Sequence, residues 1–335
     1  MEKEIVKKTI HNNMELIEYR IKNEYLEFCF VNVGGSITKI ALAEDAFEKN
    51  LVASYQNVED YVSNSCYLNA IVGRTSNRIT DGKFMLEGKE VQVDLNDGPN
   101  NLHGGAQNLT HSVFDVSEIT DGYRLKATLL DQPNGFPGNI EVTVDYTLNK
   151  NQIEIKYQGT TDQTTIFNPT QHAYFNLSGD LERTVYGHIL QVNGDQVADI
   201  NEASSFTKEL LSVEGTRFDF RAPTVIDPRD KPESDLFDRA TGYDHLYVLN
   251  ETEHAATFYD PTSGRKLEVF TTEPAMQLYL GNHMSDELLF ENNRVGESHL
   301  AACFETHQIP FDFESQVLKP EETYEQITRW VFSKA

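Results

Sequence analysis

Apolar and polar residues alternate with a period of two along much of this chain. The pattern is cleanest where Ile140, Val142, Val144, Tyr146 and Leu148 interleave with Glu141, Thr143, Asp145 and Thr147. Successive strand side chains point to opposite faces, so this run predicts a half-buried β-strand. After the turn Asn149-Lys150-Asn151 the alternation resumes at Ile153, Ile155 and Tyr157, which predicts an antiparallel hairpin. Two more hairpins read alike: Phe84-Met85-Leu86 with Val91-Gln92-Val93 about Glu87-Gly88, and Thr257-Phe258-Tyr259 with Leu267-Glu268-Val269-Phe270 about residues 260–264. Helical periodicity is sparse and predicts only short helices at 57–61 and 205–211, the second capped by Ser205. Many short strands at hairpin spacing predict an all-β fold, a large antiparallel β-sandwich. With no linker-like Pro/Gly/Ser tract and no repeat in view, residues 1–335 read as one domain.

Composition narrows the function classes. The formal net charge of -25 disfavours nucleic acid and anionic membrane surfaces as partners, because both require clustered Lys and Arg. A neutral small molecule fits better. Three cysteines, Cys29, Cys66 and Cys303, form no CxxC spacing, so they read as buried thiols and not as a disulfide framework or thiolate metal site. No signal-like N-terminal run and no stretch of about 20 apolar residues occurs, which leads to the expectation of a soluble, cytoplasmic protein.

Chemistry-bearing side chains gather in five segments, at 73–78, 101–105, 169–177, 242–245 and 303–307. His172 lies in a strand-like run between Phe167 and Tyr174; on residue type alone a satisfied, partly buried histidine is the favoured reading. Glu305 follows Ala301-Ala302-Cys303-Phe304, where an inward carboxylate needs a partner or a task, whereas an outward one is merely solvated. His103 precedes Gly104-Gly105, a pair that suits either a tight turn or close backbone approach to a ligand. Arg74, Asn77 and Arg78 could bind sugar hydroxyls, or could form surface ion pairs. Asp244 and His245 are adjacent on a strand and face opposite ways, so one of them, taken as Asp244, serves a site.

In this order the segments resemble the aldose 1-epimerase (mutarotase) family. The family pattern GR-x-x-NRI appears as Gly73-Arg74-Thr75-Ser76-Asn77-Arg78-Ile79, and N-x-LHGG as Asn100-Asn101-Leu102-His103-Gly104-Gly105. The most specific match, N-x-T-x-H-x-YFNL-x-G, runs from Asn168 through His172 and Tyr174 to Gly179. Asp244-His245 resembles a DH element, and Thr272-Glu273-Pro274-Ala275-Met276-Gln277-Leu278-Tyr279 resembles T-x-EPG-x-Q-x-Y with Ala275 for glycine. The LETQ-x-x-PD pattern appears at 304–311 with Glu305 kept, but with His307 and Phe311 where Gln and Asp are usual. The resemblance spans roughly Gly34 to the C-terminal strands. It implies a β-supersandwich acting on a free sugar without cofactor or metal. It further implies Glu305 as general base and His172 as general acid, with Arg74, Asn77, Arg78, His103, Tyr174, Asp244 and Gln277 binding the sugar.

Anomer exchange requires a proton taken from the C1 hydroxyl and one given to the ring oxygen. A carboxylate of ordinary pKa, about 4.3, and a histidine nudged upward from about 6.5 by Asp244 or Glu305 would suffice. Two rivals share these residues. Asp244 and Glu305 could be the carboxylate pair of a glycosidase, and polar and aromatic residues on a sandwich also describe a sugar-binding protein without catalysis.

Overall fold

The computed structural model describes residues 1–334 apart from Pro133, Pro228, Asp230 and Lys231. Among these residues the strands gather mainly into three antiparallel sheets. The largest has nine strands, in the order Asp115–Ile119, Gly122–Leu129, Ile140–Asn149, Gln152–Thr161, Tyr324–Lys334, Arg265–Thr271, His254–Tyr259, Ile189–Val192 and Thr224–Val225. A five-stranded sheet runs Phe206–Ser212, Gly194–Ile200, Asp244–Leu249, Ala275–Tyr279, Cys303–His307, and a four-stranded sheet runs in chain order from Glu2–His11 to Ile37–Leu42.

The period-two pattern explains how these sheets stack. Ile140, Val142, Val144, Tyr146 and Leu148 are all at most 2% exposed, and they face one continuous apolar core with residues from all three sheets. Phe28 and Phe30 of the four-stranded sheet meet Tyr146 at 5.3 and 5.1 Å between ring centroids. Phe258 of the nine-stranded sheet meets Phe304 of the five-stranded one at 5.2 Å. Burying such a ring contributes about 1.5–3 kcal/mol, so these contacts fix the large antiparallel β-sandwich.

The three hairpins form as their patterns predict, with Asn149↔Gln152, Leu86↔Lys89 and Tyr259↔Lys266 closing them. Residues 58–62 make a short 3-10 turn in place of the first predicted helix. The second predicted helix is a strand, Phe206–Ser212, paired with Gly194–Ile200. Its residues after Phe206 are exposed, so a helix there would bury no stripe, whereas the strand supplies partners to a sheet edge. Ser205 does not cap a helix; its hydroxyl donates to Asn100 Oδ1 at 2.7 Å. Among the described residues no helix is long and apolar enough to cross a membrane.

Candidate active site

A cleft of about 430 Å³ opens at one face of the five-stranded sheet. In that sheet Leu246, Gln277 and Glu305 stand opposite one another on three adjacent strands, and Asp244, Tyr279 and Cys303 do the same two residues away. Period two therefore puts Asp244, Gln277, Tyr279 and Glu305 on a single face, and all four line the cleft. The other face of the strands carries Phe304 into the core. It also carries His245, whose ring packs on Phe218 at 4.4 Å and whose Nε2 donates to Leu236 O.

His172 enters from the opposite wall. Its N–H donates to Ala70 O at 2.9 Å and its carbonyl accepts from Asn69 N at 3.0 Å. Asn69, at φ 55°, accepts from Tyr174 N through Oδ1 and donates through Nδ2 to the carbonyls of Ile37 and Ala53. One buried amide thus braces the backbone on both sides of His172. The imidazole lies nearly parallel to Tyr174 at 4.9 Å, and its Nε2 is 3.5 Å from Glu305 Oε1.

A relay of amides orients the floor. Asn77 Nδ2 donates to Gln277 Oε1 at 2.9 Å, and Gln277 Nε2 donates to Asp244 Oδ1 at 2.5 Å. His103 sits beside it, with Nδ1 accepting from the Asn77 amide at 3.2 Å, so its Nε2 carries the proton in the neutral ring. The following Gly104, at φ 83°, packs so tightly that an added Cβ would lie 2.4 Å from Arg74 N. The close approach offered by the glycine is to backbone and not to a ligand. Arg78 lines the cleft with Nε held by Asp97 Oδ2 at 2.7 Å.

Seven of the nine sequence-derived residues bring polar groups to the cleft lining: Asn77, Arg78, His103, His172, Asp244, Gln277 and Glu305. Tyr174 also lines it, but its hydroxyl donates to Cys66 O at 2.8 Å, so it offers a ring face and no sugar-binding hydroxyl. Arg74 must be corrected. It faces a neighbouring chamber, and its guanidinium donates to the carbonyls of Leu130, Pro137 and Gly138 and to Thr165 Oγ1, which commits both terminal nitrogens to the fold.

The cleft also contains residues that pattern reading passed over. Tyr67 places its ring 4.6 Å from His103 and 6.3 Å from His172, and Asp97, His283 and Glu287 stand at the mouth. Tyr279 was accessible in principle, because it lies two residues beyond Gln277 on the same strand face. Tyr67, Asp97 and Glu287 come from loops, where no periodicity marks direction.

Electrostatics departs from the simple expectation of an ordinary carboxylate beside a slightly raised histidine. Burial lifts the Glu305 carboxyl well above the usual range, and the Asp244 carboxylate adds to the shift. Burial lowers His172 to about 4 despite the opposing pull of Asp244. His103 is pushed well below its ordinary value, again by burial first, and is neutral. In the facing pair burial therefore favours a proton on the carboxyl over one on the imidazole.

His103, His172 and Glu305 each offer a donor atom within 4.8 Å of the others, a spacing compatible with one cation. With Nδ1 of His103 occupied by the Asn77 amide, only its Nε2 could ligate, and that nitrogen is protonated. That N–H is a donor aimed into the cleft, an arrangement better suited to hydroxyls than to a metal.

Known proteins resemble the chain in sequence and in fold. A family model described as aldose 1-epimerase matches residues 18–330. The chain is similar to galactose mutarotase of Sus scrofa, at 31% identity over 327 residues, covering 95% of this chain and 94% of that one. It is also similar to aldose 1-epimerase of Escherichia coli (strain K12), at 34% identity over 232 residues, 68% of this chain and 66% of that protein. Among solved structures, galactose 1-epimerase from Lactobacillus acidophilus NCFM superposes with a TM-score of 0.89 at 28% identity, covering 100% and 99% of the two chains. A GalM/aldose epimerase homologue from C. elegans shares the fold, with a TM-score of 0.86 at 23% identity over 94% and 98%.

Proposed function

The chain belongs to the aldose 1-epimerase family, and from that premise we propose that Glu305 and His172 are the acid–base pair with which it interconverts the α and β anomers of a free aldose. The observation that carries this assignment is the 3.5 Å approach of His172 Nε2 to Glu305 Oε1 inside a cleft that also presents amide, guanidinium and carboxylate groups. Ring opening moves the C1-hydroxyl proton to the Glu305 carboxylate while His172, protonated, gives its proton to the ring oxygen. The C1–O5 bond breaks, leaving an aldehyde and a C5 hydroxyl. Rotation about C1–C2 presents the other carbonyl face. Reclosure then returns the carboxyl proton to the carbonyl oxygen, and the neutral imidazole takes the C5-hydroxyl proton.

The cycle opens from the tautomer of the pair that burial disfavours. Opening starts from carboxylate and imidazolium and ends at carboxylic acid and imidazole, so the pair holds one proton throughout, on one end before the step and on the other after it. Burial favours the second form, and a raised Glu305 is a stronger base whenever it is ionised. Asn77, Arg78, His103, Asp244 and Gln277 would bind and orient the hydroxyls, with His103 Nε2–H as a fixed donor.

Residues 1–335 are proposed to act as one unit, a reading supported by the largest of the three apolar clusters, which runs from Tyr19 to Phe332 and draws on all three main sheets. A cytoplasmic setting is supported by the three free thiols, which persist best where the medium is reducing. Nucleic acid and membrane are not proposed as partners, in keeping with the charge of -25. The test is polarimetric: crystalline α-D-glucose or α-D-galactose is dissolved with and without protein. Faster approach to anomeric equilibrium supports the reading, and unchanged rates for every aldose tried would end it.

A further inference from the structure

Two shallow chambers of about 270 and 450 Å³ lie side by side outside the cleft. They share Lys83, Lys208, Phe311 and Phe313 and so form one groove, and Arg78 walls both this groove and the cleft. Arg78, whose Nε is engaged by Asp97 Oδ2, is the residue that stands between the groove and the catalytic site.

The floor of the groove is aromatic and held rigidly. Phe311 is half-buried at a turn in which Asp312 N donates to Ile309 O at 3.0 Å, and Gln316 Nε2 donates to the carbonyls of Ile309, Pro310 and Asp312. Its ring leans on Phe206 at 5.3 Å, and Phe313 leans on Phe84 at 5.4 Å. Around these rings stand hydroxyl, ammonium and carboxylate groups of Thr207, Lys208 and Asp81. A flat apolar floor edged by polar groups matches a pyranose, whose C–H face lies on a ring while its hydroxyls reach the rim.

We propose that the groove binds the second ring of a reducing disaccharide whose reducing ring occupies the cleft, with Phe311 as the stacking platform. The proposal rests on the anomer-exchange reading of the cleft. It is tested by measuring KM and kcat for mutarotation of glucose and maltose with the wild type, Phe311→Ala and the exposed-rim variant Lys208→Ala. The wild type is expected to accelerate both sugars. Phe311→Ala should raise KM for maltose about three- to tenfold with the glucose parameters unchanged, and Lys208→Ala should give a smaller rise confined to maltose. Should Phe311→Ala not fold, the Lys208→Ala comparison alone decides between a maltose-only effect and none. Acceleration of glucose but not of maltose or lactose, or variants that move both sugars equally, would overturn the groove while leaving the cleft intact. Acceleration of neither these sugars nor galactose would overturn the reading of the cleft, and the groove with it.

Discussion

Glu305 and Gln277 stand directly opposite each other on neighbouring antiparallel strands, and Gln277 in turn fixes Asp244 and is fixed by Asn77. The carboxyl that performs the proposed proton transfer is therefore aligned by strand pairing with the amide that organises the rest of the floor.

Replacing Glu305 by Gln or His172 by Asn keeps side-chain volume near that of the wild type but removes a proton-transfer group. Each variant is expected to lose about 10²- to 10⁴-fold in kcat while its circular dichroism and melting temperature stay close to wild type. Polarimetry on either variant showing a near-normal rate would remove that residue from the mechanism.

The pair works with one proton, so a second proton or the loss of the first disables it, and kcat/KM should follow a bell. His172, lowered to about 4, sets the acid limb: below that value both groups are protonated. Glu305, raised by burial, sets the alkaline limb: above its pKa neither end carries the proton. The residual activity of Glu305→Gln should lose the alkaline limb and keep the acid one. Loss of the acid limb instead would mean that the carboxyl titrates in its ordinary range.

Glu273 lies outside the cleft, buried and bonded by Gln308 Nε2 at 2.8 Å, and burial lifts it to about 7. In the unfolded chain it ionises near about 4.3. Between these values the unfolded chain releases its proton while the folded one keeps it, so stability falls as pH rises through this window and is constant again above it. Glu273→Gln retains the oxygen that accepts from Gln308 and cannot ionise. It should be more stable than wild type at pH 8, by on the order of 3 kcal/mol, and equal to it at pH 4. Thermal melts showing the same gap at both pH values would contradict the assignment.

Arg74 binds backbone carbonyls of the 129–138 segment, and a lysine cannot reproduce its planar set of donors. Both Arg74→Lys and Arg74→Ala should lower the melting temperature, the alanine variant more, because buried carbonyls lose their partners at about 1–3 kcal/mol each. At a temperature where the variants remain folded, KM for a monosaccharide should be unchanged. A selective rise in KM would return Arg74 to the sugar site.

Strands were legible wherever one face was buried, because burial on one side of a sheet imposes period two on the sequence; Ile140–Asn149 is the clearest case. Phe206–Ser212 was not, since an exposed edge strand carries no such constraint and its neighbours in sequence suit a helix equally well. The cleft was legible through polar residues set in apolar or glycine-rich runs, and the family resemblance ordered them. Arg74 misled because residue type reveals a forked donor but not what it grips. Tyr67 and Asp97 were invisible because loops assemble them from turns whose direction only the fold decides. The shifts of Glu305 and His172 were unreadable for the same reason, as desolvation depends on depth.

The register of Cys303–His307 against Ala275–Tyr279 makes folding and activity inseparable. A slip of one residue would turn Glu305 into the core and draw Phe304 away from Phe258 into the cleft. Such a chain would at once lose its base, bury an unpaired carboxyl and expose an aromatic ring. A misassembled molecule of this kind would therefore not persist as a well-folded but inert copy: the error that silences the enzyme also marks it for unfolding.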